Sequence, residues 1–233
     1  SRQPIYALTT RGALLLREAQ CEPDAPVTRC RPPERPSPVT LQHHLVVVDV
    51  LVALAVAGRT SGAVSFLGGV HDGVLYAQLR KFRQHHHVQQ AVVPDGAFTL
   101  GYGSRSPALT FYLEVVRADV KAGNASLLAK MQRYVELMRS GFFRDAYGHE
   151  RIRAVLFATT SAVRARNLCR VAARLQHGRR LFWFGSYQAA DQKGVLRKCL
   201  SPATILNAVW SSPDGELFTL AQPTSPPRER QAG

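Results

Sequence analysis

Residues 91–116 read AVVPDGAFTLGYGSRSPALTFYLEVV, and this stretch decides the fold. Two apolar runs, 91–102 and 108–116, flank a Gly-, Ser- and Pro-containing turn at 103–107. β-Branched and aromatic residues dominate the second run, as suits a pleated surface. The pattern predicts two strands joined as a hairpin. Alternate residues of a strand share a face, so Glu114 lies with Thr110, Tyr112 and Val116. Asp95 belongs to the first run, inside Pro94-Asp95-Gly96. Paired as a hairpin, the strands let Asp95 and Glu114 converge at one end. Two close carboxylates repel, and one pKa rises unless a cation intervenes. Mg²⁺ takes one or two carboxylates plus phosphate oxygens, so the pair suits phosphodiester chemistry.

Outward from the hairpin, periodicity predicts the remaining elements. Residues 41–56 form an apolar helix interrupted by His43, His44 and Asp49, and residues 74–90 are a second helix candidate. In a helix over 125–140, Leu127, Met131, Tyr134, Val135 and Met138 recur on one face. Residues 152–159 are apolar enough for a central strand. A helix over 161–176 buries Leu168, Val171, Ala172 and Leu175, and a strand over 181–187 carries aromatics into the core. A hairpin followed by helical crossovers gives an α/β fold, a mixed central sheet flanked by helices.

The N-terminal part differs. Residues 1–20 run from a β-like piece through the N-cap Thr9 into a short helix, as in the wing and closing helix of a winged helix-turn-helix. The recognition helix of such a unit lies upstream of Ser1, so the chain is expected to be part of a longer protein. Residues 21–39 are Pro-rich and read as a linker. The α/β domain spans 40–222, and 223–233 is a polar tail expected to be disordered.

The chain carries 30 Lys+Arg against 16 Asp+Glu, a net charge of +14. Such a balance attracts polyanions, and DNA is the expected partner. No membrane is expected: the longest apolar run, 45–57, is broken by Asp49 and falls short of the ~20 residues of a span. The N-terminus has no signal-peptide pattern. Four scattered cysteines show neither a zinc pair nor a disulfide framework, which makes the cytoplasm the expected compartment.

Lys130 and Tyr134 lie four apart on one helical face. Both are candidate site residues; Tyr134 also fits the apolar stripe, with Lys130 at its edge. Arg166, Arg170 and Arg174 recur every four residues, with Arg164 nearby. Such a stripe can track a phosphate backbone, or simply be a solvated face. Arg117 and Lys121 extend the candidate nucleic-acid surface. The histidines at 43–44 and 85–87 have no convincing ligand spacing, so capping, surface or DNA-facing roles are expected.

Pro94-Asp95, then a strand with Glu114, then a crossover helix resembles the PD-(D/E)xK restriction-endonuclease-like core. That resemblance implies Asp95 and Glu114 as Mg²⁺ ligands and a lysine two residues after the glutamate. Val116 stands there instead. Lys121 or Lys130 is then the substitute cation, and Lys130 with Tyr134 is similar to the Gln-x-x-x-Tyr helix motif of some such nucleases. A narrower set, Tyr6-Ala-Leu-Thr9 with Gly12-Ala13, residues 41–49 with His44, Pro94-Asp95-Gly96, residues 113–117 and Lys130-x-x-x-Tyr134, resembles the replication-relaxation family of plasmids and mobile elements. The resemblance implies a DNA-binding role in replication, relaxation or mobilisation, with a nuclease-like domain that has lost catalysis. The alternatives are an active Mg²⁺-dependent endonuclease or nickase, and a transcription regulator or relaxosome adaptor that binds replication or relaxosome proteins. Mg²⁺ is the expected cofactor only if the site is active.

Overall fold

The structure is a computed structural model that describes residues 38–86, 91–103, 106–116, 123–190, 196–198 and 200–222. The chain divides into two compact units, Ser1–Leu41 and Gln42–Gly233. The winged-helix remnant, the linker up to residue 37, the tail, Arg117 and Lys121 lie outside the described residues.

The elements are α1 (Pro38–Thr60), β1 (Ser65–His71), α2 (Asp72–Arg83), β2 (Gly96–Gly101), β3 (Leu109–Val116), α3 (Asn124–Arg139), α4 (Phe142–Tyr147), β4 (Ile152–Thr159), α5 (Ala162–Ala172), β5 (Phe182–Ser186), β6 (Gln188–Ala190), β7 (Leu196–Lys198), β8 (Trp210–Ser211) and β9 (Leu217–Phe218). The main sheet has the order β1-β2-β3-β4-β5-β8-β9, and β6 and β7 form a separate ribbon. β2 runs antiparallel to both of its neighbours, β1 and β3, whereas β3, β4 and β5 run parallel. Helical crossovers between parallel strands require this arrangement. The sheet is mixed, as expected.

Alternation along β3 divides the core. Tyr112 and Val116 face one apolar layer, closed by α2, α3, α4 and α5. Phe111, Leu113 and Val115 face the other, closed by α1 and by segments around Ile205, Trp210 and Phe218. Phe157, Phe182 and Phe184 are almost completely buried. Truncating any of them to alanine is expected to cost ~3–5 kcal/mol. The stripes predicted on α3 and α5 are buried at Leu127, Met131, Tyr134, Val135, Leu168, Val171 and Ala172.

Several boundaries differ from expectation. β2 begins at Gly96, so Asp95 precedes the strand. Glycine there matters: a Cβ on Gly96 would meet Val47 Cγ1 and Val70 O, each at 3.3 Å. β1 was not anticipated, because Gly68 and Gly69 interrupt its strand pattern. The described part of the second helix starts at Asp72 and stops at Arg83, and residues 87–90 lie outside the description. α1 starts at Pro38, inside the expected linker, with proline where its missing N–H is harmless.

Residues 40–60 of α1 are long and apolar enough, by length and composition, to cross a membrane, with a mean hydropathy of 1.8. This corrects the expectation that no stretch reaches that length. Its Val47, Val50, Ala53, Leu54 and Ala57 are buried in the core layer on the sheet, although the helix is apolar on more than one side. Leu45, Val48 and Val52 form an exposed apolar strip elsewhere on the same helix.

Candidate functional site

The antiparallel register pairs Gly96 with Leu113. Continued by one residue, it sets Asp95 opposite Glu114. The meeting point lies at the carboxyl ends of β3 and β4, where open α/β sheets place their ligands. Asp95 is held by two elements. Its Oδ2 accepts from the Val115 amide at 2.7 Å. Its Oδ1 lies 3.2 Å from His43 Nε2 on α1. The Asp95 carbonyl accepts from the Asp72 amide at 3.0 Å, which ties the start of α2 to the same corner. His71 caps α2, its Nδ1 accepting from the Gly73 amide at 3.0 Å.

Glu114 is 2% exposed and sits on the helix-covered face. α3 supplies both of its side-chain partners. Lys130 Nζ donates to Oε2. Tyr134 donates its hydroxyl proton to Oε1 at 2.5 Å. The four-residue spacing on α3 aims both groups at one carboxylate. Thus Tyr134 belongs both to the buried stripe and to the polar site.

Burial pushes the Glu114 carboxyl up to about 7, against the opposing pull of Lys130. Burial also disfavours the Lys130 ammonium, but the fields of Glu114 and Asp95 outweigh it and its pKa rises. The shift on Lys130 needs an ionised Glu114, while the shift on Glu114 resists ionisation. The pair is therefore an ion pair above about pH 7 and a neutral acid beside an ammonium below it. Burial, then the charge on Glu114, keeps Tyr134 protonated well above the usual phenol range. His43 is shifted upward by its bond to Asp95, with burial opposing.

Each of the four carboxylate oxygens thus has a partner within the protein, and two of those partners are cationic or become so on protonation. Among the described residues, no group of three or more His, Cys, Asp or Glu side chains is placed to hold a metal ion. Asp95 and Glu114 have the chemistry of Mg²⁺ ligands, and each of their oxygens already holds one partner, the Lys130 ammonium and the His43 imidazole among them. Val116 lines the apolar layer beside Glu114, and Lys130 reaches the carboxylate from the helix instead.

The arginines separate into two groups. Arg164, Arg170 and Arg174 line a groove of about 300 Å³ together with Asn124 and Asn167, between the first turn of α3 and α5. Arg166 is exposed but outside it. Arg174 lies beyond the end of α5 at Ala172. His85 and His86 are exposed, and His86 stacks on Phe82 with ring centroids 4.1 Å apart. The role of His43 on Asp95 was not anticipated. Only the proximity of α1 to the hairpin, a tertiary fact, reveals it. Cys169 is free and half-buried, and burial pushes its thiol up to about 11.

The replication-relaxation family matches residues 1–152, which is 152 of the 233 residues and includes Asp95, Glu114, Lys130 and Tyr134. At a stringent threshold no curated protein and no solved structure matches the chain.

Proposed function

The chain belongs to the replication-relaxation family, and from that premise we propose that it is a cytoplasmic DNA-handling protein of plasmid or mobile-element replication, relaxation or mobilisation. In this reading a nuclease-like domain serves as a basic platform and binds DNA without cutting it. The observation that supports the loss of cutting is that every oxygen of Asp95 and Glu114 is already engaged once, by Val115, His43, Lys130 and Tyr134, with a lysine ammonium on the buried glutamate. A catalytic Mg²⁺ site needs carboxylate lone pairs directed at the ion and at substrate phosphate. Here Lys130 supplies the positive charge that Glu114 requires. The hairpin, crossover helix and parallel strand support the restriction-endonuclease-like comparison, although one scaffold hosts many roles. The net charge of +14 and the arginine groove on α5 support the DNA partner.

A second reading, a Mg²⁺-dependent endonuclease or nickase with Asp95 and Glu114 as ligands, is favoured by one observation. Lys130 reaches Glu114 as a substitute for the lysine missing at Val116. Supercoiled-plasmid nicking with Mg²⁺ or Mn²⁺ separates the readings. Salt-sensitive binding without nicking is the expected result. Nicking by the wild type that disappears in Asp95→Ala would replace the first reading with the second. Absence of DNA binding at low salt would defeat both.

A further inference from the structure

α2 starts at the carboxylate corner, since its Asp72 amide donates to the Asp95 carbonyl at 3.0 Å. It buries Leu75 and Leu79 and turns its other side outward. Tyr76, one turn from that corner, is 54% exposed although it is a large aromatic residue. Arg80 and Arg83 follow it at intervals of four and three residues and are also exposed. These intervals bring the three side chains onto one helical face. The far end of α2 packs on α4, where the Phe82 and Phe142 rings meet with centroids 5.8 Å apart. The face therefore runs from the corner where Asp72 meets Asp95 along α2 toward α4. At 1.5 Å per residue it extends roughly 10 Å from Tyr76 to Arg83.

We propose that the Tyr76–Arg80–Arg83 face of α2 is a track for single-stranded DNA leading to the carboxylate corner, with an unpaired base stacked on Tyr76 and phosphates held by Arg80 and Arg83. The proposal rests on the DNA-binding reading above and adds the strandedness of the substrate. Single-strand sites combine cationic side chains along the backbone with aromatic rings under the bases. In a duplex the base faces are stacked on one another, so an exposed tyrosine has no base face to receive. The α5 groove has arginines and asparagines but no aromatic residue in its lining, so it offers cations for phosphates and no ring for a base.

The test is fluorescence anisotropy of the full 233-residue chain with a labelled single-stranded oligonucleotide and with its duplex, at several salt concentrations. Tyr76→Leu is expected to weaken single-strand binding roughly 5- to 150-fold. Duplex binding should change little, and Tyr76→Phe should retain most of the single-strand affinity. Arg80→Ala with Arg83→Ala should lower the salt dependence of single-strand binding. Tyr76 is exposed, so circular dichroism of Tyr76→Leu should match the wild type. Equal binding of single strand by wild type and Tyr76→Leu would overturn the track alone, leaving DNA binding intact. Equal losses on single strand and duplex would also overturn it. Binding of neither substrate by the wild type would sink the track together with the DNA reading.

Discussion

Two acid–base clusters of this domain use the same chemistry in different surroundings. At the carboxylate corner, Glu114 is 2% exposed and bonds to Lys130 and Tyr134. Near the C-terminal strands, Asp214 meets Arg179 Nε at 2.6 Å and Arg180 Nε at 3.2 Å, and Arg180 also reaches Glu216 at 3.4 Å. The arginine side chains there are about half exposed. Water and salt screen the arginines of the outer cluster, and Asp214, whose side chain is 17% exposed, keeps one arginine partner when the other is replaced. The inner pair has given up hydration on the glutamate side, and the loss of one partner strands the other. Polar partnerships at the corner are therefore conditions for folding as well as elements of a site.

The largest effect is expected for Lys130→Met. It should destabilise the domain by about 3 kcal/mol at pH 8, the low end for a buried pair because the lysine is partly exposed. The loss should shrink at pH 5, where Glu114 takes up a proton and no buried anion remains. Adding Glu114→Gln should restore most of the stability at pH 8. Urea unfolding at both pH values measures all three effects, and a pH-independent loss would show that Lys130 acts through packing alone.

An effect of comparable size is expected in the wild type. The folded-state pKa of Glu114 is raised from 4.5 to about 7, and that of His43 is raised from 6.5. Between pH 4.5 and 7 the native state therefore binds more protons at Glu114 than the unfolded chain does. Stability from this group is complete below pH 4.5 and is lost as pH rises through about 7. His43 adds a loss in the same direction as pH rises above 6.5. The combined decline should be no more than a few kcal/mol. Glu114→Gln should flatten the lower part of that profile, and an unchanged slope would move its origin to other groups. The smallest effect belongs to the outer cluster: Asp214→Asn should cost less than ~1 kcal/mol, and less still in high salt.

The corner was legible in the sequence to the extent that local periodicity governs it. Alternation along β3 put Glu114 on the face of Tyr112, and the four-residue spacing put Lys130 beside Tyr134. The meeting of Asp95 with Glu114 followed from a hairpin with a short turn. His43 was illegible because its partner is 52 residues away, on an element whose position the sequence does not encode locally. β1 was hidden by its two glycines. β8 and β9 are two residues each, below the length at which alternation becomes a signal. They are held instead by side chains such as Trp183 and Phe218, whose rings stack 4.2 Å apart. A Cβ on Gly185 would come within 2.8 Å of Trp210 Cε3, so that glycine admits the tryptophan.

The contact between His43 and Asp95 also has a practical meaning for dissecting the chain. A fragment that began at residue 45 would keep the core contacts of Val47, Val50 and Leu54 and would look sufficient by composition. It would nevertheless leave Oδ1 of Asp95 without its imidazole, beside a buried glutamate whose own anion is poorly tolerated. The smallest piece that retains the corner's charge balance therefore has to start upstream of His43, and its first helical turn is part of the site it was meant to frame.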